Sequence, residues 1–229
     1  MKRVLDVATG TGFVSIPAAR LTGVQGYVVG VDISTGMLNQ AKEAIRAEGL
    51  SNIDLVQADA ETLNYPTSSF DLITCGNALP YMADVPGVLR RWCALLRPGG
   101  RLAFNCWAED SFATGQLLRN IAAAHGIRIA VIGQDTGTPE RCRTILAAAG
   151  FERQEFHVEP TATFFSADRL GDVFDSALNN PLYSMSKSDI RLVSDLREEY
   201  MVEAQSSSVR ESIDAELGAY FVLAYKSRI

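Results

Sequence analysis

The chain has little of what marks metal, redox, membrane or nucleic-acid proteins. Its four cysteines (Cys75, Cys93, Cys106 and Cys142) are widely separated. No paired spacing of the zinc or dithiol kind exists, so they read as buried thiols in a reducing cytoplasm, and no metal is expected. Histidine is scarce: only His125 and His157 occur. No apolar run reaches the roughly 18 residues of a membrane span. The most apolar stretch, Ile121 to Ile132, is broken by His125 and Arg128. Met1-Lys2-Arg3 resembles the start of a signal peptide, but Asp6 stands where an apolar segment would have to continue, so no targeting segment is expected. Basic residues number 21 against 27 acidic ones, and the net charge of −6 repels phosphate backbones. That excludes bulk nucleic-acid binding.

What is present suffices for a sizeable core. With 229 residues, 47% of them hydrophobic, the chain suits one domain with a large insertion or two small ones. Val4 to Val7 is a short apolar run that meets Thr9-Gly10-Thr11-Gly12, after which Phe13 to Leu21 shows helical spacing. A second strand, Tyr27 to Val31, ends at Asp32. Ser34 can cap a helix that runs to about Glu48 and stops at Gly49. Ile53 to Gln57 and Phe70 to Cys75 read as strands three and four. Asp84 and Pro86 open a helix through Leu96, which Pro98-Gly99-Gly100 ends before a strand from Arg101 to Trp107. Strands alternating with helices in this way imply parallel pairing with helices on both faces.

Beyond Trp107 the spacing predicts a helix from about Ala113 to His125, a strand-like piece at Ile127 to Ile132, and a helix from Pro139 to Ala149. A strand from Phe151 to Val158, a mostly helical stretch from about Ser166 to Gln205 and a last strand from Ala219 to Tyr225 follow. The expected fold is α/β: a doubly wound, mostly parallel seven-stranded sheet with a helical insertion between the last two strands. Residues 1–160 and 219–229 form the expected cofactor-binding domain, and 161–218 the insertion.

The chemistry concentrates in Asp6-Val7-Ala8-Thr9-Gly10-Thr11-Gly12, a glycine loop between strand and helix that lets backbone approach a ligand at a helix N-terminus. A dinucleotide site is one reading. Against it, Ser15 occupies the place of the third fingerprint glycine, and Asp6 would repel a pyrophosphate but suits an ammonium group. Asp32, about 20 residues on, can accept hydrogen bonds from ribose hydroxyls in either cofactor class. The later series is more discriminating: Gln57-Ala58-Asp59-Ala60, then Phe70-Asp71-Leu72-Ile73, then Leu96-Arg97-Pro98-Gly99-Gly100-Arg101.

Together these motifs resemble the class I S-adenosylmethionine-dependent methyltransferases, especially the small-molecule branch related to the ubiquinone/menaquinone C-methyltransferases. The resemblance covers residues 1 to about 107. It implies S-adenosylmethionine as cofactor and a small organic methyl acceptor. It places Ala8, Gly10 and Gly12 against the methionine part, Asp6 near the ammonium end and Asp32 on the ribose. Ile33 and Met37 would flank adenine, Asp59 and Ala60 meet its edge, and Asn77 stands at the mouth between cofactor and acceptor. The lesser readings are that Met37 is core and that Asp59 simply caps a turn. Asp71 reads as structural.

The resemblance has two departures. The branch often carries histidines after the fourth strand, whereas this chain reads Asn77-Ala78-Leu79-Pro80-Tyr81, so the candidates for a catalytic group reduce to Tyr81, His125 and His157. The histidines read more readily as structural. The first strand also begins at once, without preceding helices, so a more open cleft is expected. A lid from residues 161–218 or a second subunit of a homo-oligomer would then cover it, with Tyr81, Phe174, Leu178 and Tyr183 lining the acceptor pocket. A dinucleotide-dependent oxidoreductase and a non-catalytic cofactor-binding module are the alternatives.

Overall fold

The computed structural model describes residues 2–108, 113–129, 133–161, 171–172, 174–175, 190–205 and 217–229. They fall into two compact units. The first comprises Met1–Cys106, Thr138–Val158 and Tyr220–Ile229, and the second Trp107–Gly137 and Glu159–Ala219.

Seven strands form one sheet: β1 (Arg3–Val7), β2 (Tyr27–Asp32), β3 (Ile53–Gln57), β4 (Phe70–Cys75), β5 (Leu96–Trp107), β6 (Phe151–Thr161) and β7 (Leu217–Lys226). Their order is β3-β2-β1-β4-β5-β7-β6. The pairs β1–β2, β2–β3, β1–β4 and β4–β5 are parallel. β7 runs against β5, since Gly99 N–H donates to Ser227 O and Ala108 N–H to Gly218 O, partners that diverge along the two strands. Among the described residues the helices include α1 (Ser15–Thr22), α2 (Thr35–Ala47), α3 (Val85–Leu95), α4 (Ala113–Ala124), α5 (Pro139–Ala148) and α6 (Ile190–Glu203). This is the doubly wound, mostly parallel sheet that the alternation predicts.

β1 and β2 are largely buried on both faces because helices cover both, as parallel sheets require. On one face Val4, Val28 and Ile53 pack with Ile16 and Ala19 of α1 and with Ala44 and Ile45 of α2. On the other, Leu5, Val29 and Ile73 pack with Val88, Leu89 and Trp92 of α3 and with Leu146 of α5. Side chains alternate across each strand, so one residue of slippage would exchange these sets. The chain leaves β1 for β2 on one side and crosses back to β4 on the other. The carboxyl ends of β1 and β4 therefore flank the switch point where open α/β sheets bind ligands.

Local chemistry sets the helix boundaries. Ser34 Oγ accepts from Met37 N–H, Asp84 Oδ1 from Gly87 N–H at 2.9 Å and Thr138 Oγ1 from Arg141 N–H, each supplying an N-cap. Asp71 is structural, as expected: its carboxylate accepts from Arg3 N–H at 2.7 Å and from the Arg97 guanidinium at 3.1 and 3.2 Å.

Three sequence expectations need correction. β5 starts at Leu96, not Arg101; the turn chemistry of Arg97-Pro98-Gly99-Gly100 appears as an irregularity within the strand, between the pairs Phe70–Leu96 and Leu72–Arg101. Gly99 has φ +73°, and a Cβ on Gly100 would sit 2.8 Å from Arg97 O. Ile127 to Ile129 is not a strand, because Gly126 (φ +75°) ends the turn after α4 and Ile129 folds back onto that helix's apolar cluster. A short apolar run does not by itself distinguish these outcomes; residues 130–132 lie outside the described residues. Finally, α4 belongs with the second unit and not with the cofactor-binding domain. Its apolar stripe of Leu117, Leu118, Ile121 and Ala122 packs on Leu196, Tyr200 and Phe174.

Trp92 is fully buried and donates its indole N–H to Ala60 O at 3.2 Å, tying α3 to the turn after β3. Trp92→Phe removes one hydrogen bond and some packing volume and is expected to cost about 1–3 kcal/mol. Urea unfolding with an unchanged m-value checks this.

Candidate functional site

The glycine loop between β1 and α1 is held by its own short bonds. Thr9 N–H donates to Val31 O at 2.9 Å, Gly12 N–H to Thr9 O at 2.9 Å and Ile16 N–H to Gly12 O at 3.0 Å. Ser15, the residue at the missing fingerprint glycine, is fully buried with its hydroxyl 2.5 Å from that of Thr9, which closes the loop from within. Gly10 and Gly12 are glycines for different reasons. Both have positive φ (+56° and +88°), but a Cβ on Gly12 would sit 2.7 Å from Ile16 Cδ1, whereas one on Gly10 would meet nothing within 4 Å. Gly12 serves loop-to-helix packing, and Gly10 leaves an open approach to backbone. Ala8 takes a left-handed conformation as well, at φ +54°, a costly state for a residue with a Cβ.

Asp32 ends β2 and turns back to this loop. Its Oδ2 accepts from Gly10 N–H and its Oδ1 from Ser34 N–H, both at 2.8 Å. Each carboxylate oxygen keeps a further lone pair for a hydroxyl donor. Ile33 is 70% exposed and Met37 45% exposed, so Met37 is not core. In the turn after β3, Asp59 Oδ1 accepts from Glu61 N–H at 2.9 Å, so the residue does cap a turn. Glu61, which the sequence reading overlooked, accepts from the N–H groups of Ala83 and Asp84 and docks that turn, with Asp59 and Ala60, on the start of α3.

Asp6 is 1% exposed. Thr74 donates to its Oδ1 at 2.6 Å, and Oδ2 is buried with no partner at hydrogen-bond distance. Burial pushes the carboxyl above its ordinary value, with Thr74 chief among the groups that oppose this. Asp6 is buried beneath the glycine loop, out of a ligand's direct reach, so its contribution to an ammonium group runs through that loop. The open approach at Gly10 and the Asp32 carboxylate fit the remainder of S-adenosylmethionine.

Past β4, Asn77 is exposed at φ +53°. Its N–H donates to Asn105 Oδ1 at 2.9 Å, and Asn105 Nδ2 donates to Asn77 Oδ1. Asn105 and Thr74 were not anticipated; the only signal was a polar residue in each of two apolar strands. Tyr81 lies on a short 3-10 turn and is half exposed. His125 Nε2 is 2.7 Å from Glu199 Oε2, a hydrogen bond between two residues of the second unit. His157 is on exposed positions of β6. Phe174 is fully buried against Tyr200, with ring centroids 5.2 Å apart; it is core, which corrects its assignment to a pocket wall. Leu178 and Tyr183 lie outside the described residues. All four cysteines are buried thiols, and burial raises the Cys75 thiol to about 12. Among the described residues no cluster of His, Cys, Asp or Glu is placed to hold a metal, and no helix is long and apolar enough to cross a membrane.

Residues 4–100 match the family model described as a methyltransferase domain. The chain is 42% identical over 103 residues to aklanonic acid methyltransferase DauC of Streptomyces sp. (strain C5), covering 45% of this chain and 47% of that protein. It is 32% identical over 172 residues to the ubiquinone/menaquinone biosynthesis C-methyltransferase UbiE of Azotobacter vinelandii, covering 68% of each. The chain spans about half the length of the first curated relatives it matches. Among solved structures, phosphoethanolamine N-methyltransferase 2 of Haemonchus contortus in complex with S-adenosylhomocysteine superposes with TM-score 0.58 at 19% identity, covering 99% of this chain and 49% of that one. That likeness shows the fold.

Two outcomes follow from the geometry. Gly10→Val forces a branched residue to φ +56° and fills the open approach. It should lower stability by about 1–2 kcal/mol and abolish S-adenosylhomocysteine binding by calorimetry, with the circular dichroism spectrum retained. The raised pKa of Asp6 means that the native state holds this proton more tightly than the unfolded chain. Its stabilising contribution is thus complete below the ordinary value of 3.8 and is lost as pH rises through the native value. Asp6→Asn cannot ionise. Its stability advantage over the parent should therefore grow with pH above about 4 in urea titrations from pH 4 to 8.

Proposed function

The chain belongs to the class I S-adenosylmethionine-dependent methyltransferases, in the small-molecule group related to the ubiquinone/menaquinone C-methyltransferases, and on that premise we propose that it moves a methyl group from S-adenosylmethionine to a small organic acceptor by direct in-line displacement. The observation that carries this reading is the bond from Gly10 N–H to Asp32 Oδ2, which joins the glycine loop to the acid at the end of β2. One carboxylate thereby shapes the loop and offers its outer lone pairs to paired hydroxyls.

When bound, S-adenosylmethionine supplies a methyl carbon already activated by its sulfonium. The protein's share of the work is alignment, which can be worth roughly 7–11 kcal/mol when two reacting groups are held in line. Asp32 orients the ribose end, and the exposed apolar side chains of Ile33 and Met37 offer faces to a flat ring. The turn of Asp59 and Ala60, braced by Glu61 and Trp92, presents its edge. Asp6 underlies the glycine loop near the ammonium end, and Asn77, gripped by Asn105, stands at the mouth. We further propose that residues 161–218 serve as a lid, supported by the helical spacing of their apolar residues. Added hydrogen-exchange protection across α6 on binding S-adenosylhomocysteine and acceptor is the expected signature; protection confined to the glycine loop counts against it.

Asp32→Ala should weaken S-adenosylhomocysteine binding more than tenfold, since hydrogen bonds to a charged acceptor are worth about 1.5–3 kcal/mol each and the substitution also releases Gly10 N–H. Calorimetry against S-adenosylhomocysteine, with NAD as the competing ligand, tests both the residue and the cofactor class. Binding of NAD in preference to S-adenosylhomocysteine overturns the assignment.

A further inference from the structure

Asn77 and Asn105 come together through the β4–β5 register. Cys75 pairs with Phe104, so Asn105 lies one residue further along β5, level with the point where the chain leaves β4. Asn77 stands there in the left-handed region, at φ +53°, a conformation that asparagine adopts more readily than most residues with a Cβ. The segment that follows is fastened at its far end too, where Glu61 accepts from the N–H groups of Ala83 and Asp84.

The two carboxamides have one consistent orientation. A backbone N–H can only donate, so the Asn105 atom 2.9 Å from Asn77 N is its oxygen. The other end of the Asn105 carboxamide is then its nitrogen, also a donor, and the Asn77 atom that it meets has to be Oδ1. The Asn77 oxygen is thereby turned to Asn105, and both N–H bonds of Asn77 Nδ2 are left over. Among the described residues nothing accepts from them, and Asn77 is exposed. An asparagine without this clasp could present either end to a ligand.

That polarity matters beside a methyl donor. An amide oxygen at the mouth would favour a sulfonium, which is a cation. Amide N–H groups disfavour that cation and favour the neutral thioether left once the methyl group has gone and the C–S electron pair has stayed on sulfur. Only interactions that strengthen as the reaction proceeds raise its rate, and dipoles held in place beforehand do so at no cost in reorganisation.

We propose that Asn105 is a positioning residue for methyl transfer: by binding the Asn77 oxygen it leaves only the amide N–H groups of Asn77 to the mouth, which therefore favours the thioether product over the sulfonium substrate. The proposal rests on the reading of Asn77 as standing where the methyl donor reacts. Asn105 acts through Asn77 and need not touch either ligand.

The test is the ratio of the dissociation constants of S-adenosylmethionine and S-adenosylhomocysteine, measured by calorimetry on the full chain. The parent should bind S-adenosylhomocysteine about threefold or more tighter. Asn105→Asp inverts the clasp: one carboxylate oxygen keeps the Asn77 N–H, the other can accept only from Nδ2, and the Asn77 carboxamide turns its oxygen to the mouth. The ratio should then move about tenfold toward S-adenosylmethionine, a change of about 1.4 kcal/mol. The new charge also acts on the cation, so the same substitution is made in an Asn77→Gly background, where glycine takes φ +53° without strain. There the ratio should move less than about threefold. Asn105→Leu removes both bonds without adding charge and should move the ratio about threefold toward S-adenosylmethionine, which keeps the proposal testable if Asn105→Asp does not fold. In ¹H–¹⁵N spectra the side-chain NH₂ signals of Asn77, identified by their loss in Asn77→Gly, should exchange freely with water in the parent and slowly in Asn105→Asp. Equal movement of the ratio in the two backgrounds overturns the proposal, as do an unchanged ratio in Asn105→Leu, a parent preference for S-adenosylmethionine, or NH₂ signals already protected in the parent. A parent that binds neither ligand overturns the methyl-transfer reading and the proposal with it, even where the amide signals behave as expected.

Discussion

The carboxylate of Asp32 couples the first two βα units into one site. One oxygen holds Gly10 N–H and the other Ser34 N–H, so the glycine loop and the start of α2 share a single charged acceptor. Hydrogen bonds to a charged group are the strong ones, and they need no ligand to form. The loop is therefore shaped before a cofactor arrives, and little ordering entropy remains to oppose binding. Thr9 N–H on Val31 O and the buried Thr9–Ser15 hydroxyl pair complete the same frame from below.

Other parts of the site carry a cost that the frame has to sustain. Asp6 keeps a carboxyl in the interior with one oxygen unpartnered, and Ala8 and Asn77 adopt positive φ without being glycine. The buried carboxyl and the left-handed alanine each lower stability. Strained backbone and orphaned polar atoms persist where surrounding packing over-determines them. Here that packing is the apolar core on both faces of β1 and β4, together with α3, whose Trp92 and Glu61-bound N-terminus brace the turn of Asp59 and Ala60.

Much of the first 107 residues was legible because their signals are local. Apolar runs bounded by glycine or proline gave β1 to β4 within about a residue of their observed limits, and Ser34 and Asp84 marked the caps of α2 and α3. The errors have physical causes. Arg97-Pro98-Gly99-Gly100 carries real turn chemistry, but sheet pairing continues on both sides of it, so a turn became an irregularity inside β5. Ile127, Ile129 and Phe174 are apolar, and periodicity does not tell which neighbour will bury them. All three joined the core of the second unit.

The sequence by itself determined the order of elements, the glycine loop and the acid that ends β2, because each depends on residues within one turn or one strand of each other. Only tertiary structure decided which distant groups meet. Thr74 reaches Asp6 across 68 residues and Asn105 reaches Asn77 across 28, because β4 lies beside β1 on one edge and beside β5 on the other. Those contacts follow from strand order and register, which place side chains side by side with no trace in local spacing.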